Sequence, residues 1–220
     1  MNLTNENSTQ DITGVLAQVA SDVVGELEMD KLLPKILKTA MDTLQAEVCS
    51  IYLRKGDKLE CVAGEGFAQD VVGKKYNLGE GLTGTIGLKG EAYNIKSREE
   101  RDILVKKGIF SGKYDNIQWG QDRKFRNLLA LPLKIKNDKL TNEILGVIKV
   151  ENKTHGDCFT DADEQLFKII ANVITLAIGN AKSHEKAERQ SRIISNALAD
   201  IAAGSVGAVH RNELLHTYFI

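Results

Sequence analysis

Between Leu166 and Ile201, eleven positions (Leu166, Ile170, Val173, Ala177, Asn180, His184, Ala187, Ser191, Ile194, Leu198 and Ile201) follow one another in alternating steps of four and three. A 3.5-residue repeat sustained this far puts the side chains along one seam of a single long helix. Such a helix outruns the core of one domain and needs a partner helix, most simply from a second copy of the chain. A homodimer is therefore expected. The seam is polar in its middle, at Asn180, His184 and Ser191, which weakens packing but fixes register.

The residues that feed this helix constrain the rest. LLALPLKIK (128–136) and EILGVIKVENK (143–153) predict two strands of a hairpin, with turn residues in NDKLTN between them. FTDADEQLF (159–167) follows, and its Thr160-x-x-Asp163 spacing is that of a capping box ahead of an apolar run. Earlier, VCSIYLR (48–54) and KLECVAG (58–64) flank the turn Lys55-Gly56-Asp57 and predict another hairpin. Two helices precede it, one capped by Asp11 and one by Asp30, with Pro34 in the first turn of the second. LGEGLTGTIGLKGE (78–91) predicts a loop entering a short helix at Leu82 that ends at Gly90. EAYNI (91–95) follows as a strand, then a short helix near 98–107.

Composition excludes several classes. Hydrophobic residues at 42% and charged residues at 27% allow a real core. A formal net charge of −1 argues against a nucleic-acid or membrane-surface binder. Three cysteines, Cys49, Cys61 and Cys158, with no C-x-x-C pair, suggest a reducing compartment and no metal site. The polar start MNLTNENSTQD carries no signal-peptide pattern, and no run of 18 apolar residues exists, so a cytoplasmic location without membrane contact is expected.

The tail repeats the head. LAQVASDVVGELEMDKLL (16–33) aligns with LADIAAGSVGAVHRNELL (198–215) without a gap, with seven of eighteen positions identical. This predicts the start of a second copy of one domain. The expected organisation is a disordered tail at 1–10, a domain at 11–182, a linker or signalling helix at 183–203 and a truncated second domain at 198–220.

The element order, with LLPKILKTAMDTLQAEVCSIYL (32–53), GEGLTGTIGLKGEAYNI (79–95), NLLALPLKI (127–135) and ILGVIKVENK (144–153) followed by FTDADEQLF, resembles the GAF family of sensory domains over about residues 14–182. The resemblance implies an α+β fold: a central antiparallel sheet with the N- and C-terminal helices packed on one face and a small-molecule pocket on the other. It also implies a regulatory module rather than an enzyme, with the effector elsewhere in the same full-length chain. Asn152-Lys153, Phe159 and Asp163-Glu164 complete a pattern of cyclic-nucleotide-binding members. In that family the Lys and Asp are thought to form a structural ion pair, so Asn152, Lys153, Phe159 and Asp163 are expected to brace a joint rather than line a ligand.

The chemistry that would suit an anionic ligand lies in residues 96–126, with nine basic and five acidic side chains and the rings of Tyr114, Trp119 and Phe125. Free N–H groups at Leu82-Thr83, opening a helix, would add to it. The expected ligand-binding residues are Leu82, Thr83, Ile95, Arg101, Lys113, Tyr114, Trp119 and Arg126. A cyclic nucleotide is the candidate ligand, and no other cofactor is called for. Two readings stand: a ligand-sensing module, or a ligand-free dimerisation spacer whose pocket is filled by its own side chains such as Trp119 or Phe125. Bilin attachment, haem binding and sulfoxide reduction lack their Cys or His in the pocket loops. The Gly-rich run is no P-loop.

Overall fold

The computed structural model describes residues 29–111, 125–136 and 142–217, with side chains to Ala199 except those of residues 30, 67, 136 and 185. The tail at 1–10, the helix expected over 11–27, most of the turn at 137–142, the candidates Lys113, Tyr114 and Trp119, and nearly all side chains of the repeat at 198–220 lie outside those residues.

Helix α1, Met29–Leu44, buries Leu32, Leu33, Ile36, Leu37, Ala40 and Leu44. These recur at helical spacing, so one stripe meets the sheet. Asp30 lies inside this helix, which begins at least two residues before the expected start, so Pro34 stands deeper than its expected place. Without an N–H, Pro34 forgoes the helical bond to the carbonyl four residues back. Strands β1, Ala46–Lys55, and β2, Lys58–Gly66, form the expected hairpin. A 3-10 turn at Phe67–Val71 and a short edge strand β3, Lys75–Asn77, follow. Neither was expected, since three-residue strands and single turns carry too few residues to show a period.

Helix α2, Gly81–Lys89, occupies the Gly-rich run and ends at Gly90, which takes the left-handed conformation with φ of 69°. The glycines within it allow close approach. A methyl group at Gly84 would collide with the Asn77 carbonyl, and one at Gly87 with the Leu59 side chain. Strand β4, Tyr93–Ile95, and helix α3, Arg98–Lys106, come next. Ser97 caps α3, accepting from the Glu100 N–H at 3.2 Å. Strands β5, Leu128–Lys136, and β6, Asn142–Lys153, pair antiparallel and lead into helix α4, Asp161–Thr217.

The six strands form one antiparallel sheet in the order β3-β2-β1-β6-β5-β4. Alternation along each strand divides the core in two. Cys49 and Ile51 of β1, Leu129, Leu131 and Leu133 of β5, and Ile148 and Val150 of β6 face α1 and the start of α4, where Phe167, Ile170, Ala171, Ile174, Ala177 and Ile178 are buried. The opposite face carries Val48, Tyr52, Leu59, Cys61, Leu128, Ala130 and Val147 under Leu82 and Ile86 of α2, Ile95 and Phe110. This is the expected α+β arrangement. From Gly179 onward the chain forms a second compact unit made of α4 alone, in which Ile193, Ile194 and Leu198 are exposed. Among the described residues no helix is long and apolar enough to cross a membrane.

Candidate functional site

Two polar constellations stand out, one at the joint between β6 and α4 and one on the sheet face under α2.

The joint follows from the 151–167 stretch. Thr160 and Asp163 form the capping box: the Asp163 N–H donates to Thr160 Oγ1 at 3.2 Å, and the Thr160 N–H donates to Asp163 Oδ2 at 2.7 Å. Lys153 Nζ lies 2.7 Å from the same oxygen. Burial alone would raise the Asp163 pKa, but the Lys153 ammonium and the Thr160 donors outweigh it and hold the carboxyl below its ordinary value. Phe159 is fully buried in the helix-side core, with Lys153 Nζ 5.5 Å from its ring centre. Asn152 stands in the left-handed region with φ of 59°, which Asn tolerates better than most residues. Its side chain donates to Glu47 Oε2 at 2.9 Å and accepts from the Arg126 N–H at 2.9 Å. Asn127 adds two bonds: its Oδ1 accepts from the Lys153 N–H and its Nδ2 donates to the Asp157 carbonyl, both at 2.9 Å. Asn152, Lys153, Phe159 and Asp163 thus meet at the joint between β6 and α4.

Arg126 also meets this joint. Its guanidinium reaches Glu47 Oε1 at 2.6 Å. Asn94 of β4 ties the pocket side to the same joint, donating to the Phe159 carbonyl at 3.3 Å.

The second constellation lies where β1 and β6 pair. Ser50, Tyr52, Lys149 and Glu151 share one face, with Ser50 opposite Lys149 and Val48 opposite Glu151. All four are buried, at 0%, 1%, 3% and 1% exposure, so their polar atoms are out of bulk water. Lys149 Nζ lies 2.8 Å from Glu151 Oε1 and 5.3 Å from the centre of the Tyr52 ring. Tyr52 meets Tyr76 edge-on at 5.5 Å. Ser50 Oγ has no hydrogen-bond partner among the described residues. Burial pushes the Tyr52 phenol up, against the pull of Lys149.

Of the expected ligand residues, Leu82 and Ile95 join the apolar cluster on this face, and Thr83 is buried in α2. Arg101 is 7% exposed, with Nη2 2.8 Å from Asp102 Oδ1 and its guanidinium 5.1 Å from the Phe125 ring centre. Of the other described basic residues in 96–126, Lys96, Arg98, Lys106 and Lys107 are exposed. At the start of α2 the Gly81 N–H is taken by Ser111 Oγ at 2.9 Å.

Sequence reasoning missed Ser50, Lys149, Glu151, Asn127 and Glu47. The signal was present in VIKVE (147–151), but polar residues at every second position ordinarily mark a solvent face. Nucleophilic chemistry at the buried thiols is disfavoured: burial pushes Cys61 up to about 11 and raises Cys49 further still, so neither is a thiolate near neutrality. Among the described residues no three His, Cys, Asp or Glu side chains gather to hold a metal.

The geometry agrees with comparisons to known proteins. A sequence model described as the GAF domain matches residues 28–178. The dual 3',5'-cyclic-AMP and -GMP phosphodiesterase 11 of Drosophila melanogaster is 24% identical over 205 residues, covering 84% of this chain and 13% of that protein. Phosphodiesterase 11A of Takifugu rubripes, also dual for cyclic AMP and GMP, is 24% identical over 185 residues, covering 75% of this chain and 18% of that protein. The chain therefore spans less than a fifth of either relative. The solved GAF domain of a phosphoenolpyruvate-protein phosphotransferase from Coxiella burnetii superposes with a TM-score of 0.63 at 17% identity, covering 80% of this chain and 98% of that one.

Proposed function

Since the chain belongs to the GAF domain family, we propose that it is a ligand-responsive regulatory module of a larger signalling protein. The braced joint is the observation that carries this reading. Arg126 and Asn127 close the segment expected to hold the ligand, and their hydrogen bonds run to Asn152 and Lys153. Lys153 in turn holds Asp163, which caps α4. A ligand that rearranges 96–127 would act through this chain of bonds on the first turn of α4. It has an effect only if it binds one arrangement better than the other.

Leu82, Thr83, Ile95 and Arg101 are the described residues proposed to meet the ligand, with Lys113, Tyr114 and Trp119 added from the sequence. The named relatives act on cyclic AMP and cyclic GMP, which makes a cyclic nucleotide the first ligand to test. The output is proposed to travel along α4 in a homodimer whose seam takes in the exposed Ile194 and Leu198, toward a second domain copy and an effector in the same full-length cytoplasmic protein.

A thermal-shift screen of nucleotides tests the reading. A ligand at 100 times its Kd adds about 2.7 kcal/mol of stability. A rise in Tm with one nucleotide supports it, and no shift with any removes the cyclic-nucleotide version. Light scattering tests the dimer, and a monomer at high concentration counts against it.

The spacer reading is favoured by a different observation. Phe110 is buried in the pocket-side cluster and Phe125 packs against it, so the chain's own rings occupy part of that face.

A further inference from the structure

We infer that this chain pairs with a second copy of itself through a face of α4 that begins on the domain, at Ile169 and Leu176, and not through the seam positions Ile170 and Ala177. The inference rests on the homodimer reading above and specifies the surface that makes the contact.

Periodicity in the sequence puts Ile170 and Ala177 in the seam. Both are spent inside the domain. Ile170 is 0% and Ala177 5% exposed, in the helix-side core with Phe167 and Ile174. A side chain sealed in its own core does not reach a partner. One residue away, Leu176 is 60% exposed, as much as Ile194. Ile169 is half-buried and Asn172 is exposed. These three stand at i, i+3 and i+7, which is one face of a helix. Helical steps from Leu176 along the sequence reach Asn180, Ser183, Ala187, Gln190 and Ile194, all exposed. None of these eight positions carries a charge, while Lys182, Lys186, Glu188, Arg189 and Arg192 fall between them.

Length, charge and hydrogen bonding point to a second copy as the occupant. A line of eight positions needs a helix of matching length. α4 has 57 residues, against 16, 9 and 9 in α1, α2 and α3. A face without charged side chains meets its own copy without repulsion. Asn180 and Gln190 each carry an amide that both donates and accepts, so the amides of a copy satisfy them. The apolar stripe expected over 11–27 would leave those amides unpaired. The contact shares its helical turns with the core residues Phe167, Ile170 and Ile174. A shift of α4 at the joint therefore reaches the partner within those turns.

The test uses the whole chain, with sedimentation equilibrium and light scattering over a range of concentrations. Wild type is expected to be a dimer. Leu176→Glu changes an exposed side chain and is expected to fold, with unchanged far-UV circular dichroism. It should raise the dimer Kd at least about a hundredfold, a tenfold loss at each of two symmetry-related contacts. Val72→Glu, at a residue 48% exposed and away from α4, should dimerise as wild type does. If Leu176→Glu fails to fold, Leu176→Ser carries the test through a Kd raised at least about tenfold. A dimeric wild type with a folded Leu176 variant that dimerises as tightly overturns this inference and keeps the homodimer. The same result with a lowered Tm puts a segment of the same chain over Leu176 and also overturns it. A monomeric wild type overturns the homodimer reading itself.

Discussion

The two faces of the central sheet are built from alternate residues of the same strands, yet they differ in kind. On β1, Cys49 and Ile51 turn toward the helices, while Ser50 and Tyr52 turn away. On β6, Ile148 and Val150 take the first course, and Lys149 and Glu151 share the opposite face with Val147. The helix side is a continuous apolar layer closed by Phe159 and Phe167. The other side places an ion pair and an unpartnered hydroxyl in the dry centre of the sheet. The second face takes polar groups into its interior beside Val48, Tyr52 and Val147.

Five variants test this contrast. On the helix side, Phe167→Ala should have the largest effect, a loss of about 3–5 kcal/mol in urea unfolding, because a fully buried ring leaves a cavity. On the opposite face, Lys149→Met alone should destabilise by about 3–5 kcal/mol, since Glu151 stays buried without the ammonium. The K149M/E151M double variant should recover most of that loss, and failure to recover would show that the pair itself stabilises the fold.

At the joint, Asp163→Asn should lower stability near neutral pH by about 1–3 kcal/mol, as expected for charge-assisted bonds. Asp163 is held below its ordinary pKa in the folded protein, so its contribution is complete above the unfolded value, about 3.9, and is lost as pH falls through the folded value. The Tm difference between wild type and the variant should therefore be constant from pH 7 to about 5 and shrink below about 4. A difference that grew with acid would reject the ion pair as its source. Ser50→Ala should change least, shifting stability by under about 1 kcal/mol and upward if at all, because it removes a hydroxyl that has no partner.

Much of the architecture was legible in the chain. The hairpin of β1 and β2, the short helix ending at Gly90, the strand at 128–136 and the capped start of α4 follow from alternation, turn residues and the Thr160–Asp163 spacing, all local signals. The Lys153–Asp163 pair was expected from the family resemblance. The edge strand β3, the 3-10 turn and the interior place of Pro34 were not legible, because each depends on contacts or neighbours outside the segment itself. The candidate site was legible only in part. Leu82, Ile95 and Arg101 proved buried on the pocket side or near it, and Arg126 also meets the joint.

The sequence by itself determined the order of elements, the periodicity that turns each toward a core, and the local bonds that start and stop the helices. Only the tertiary structure decided that the polar-looking face of β6 would be dry. Alternation in VIKVE separates Lys149 and Glu151 from Ile148 and Val150, but whether water or protein covers the polar set depends on α2 lying across the sheet. That placement rests on glycines at 84 and 87 meeting Asn77 and Leu59, contacts between segments that no local pattern contains.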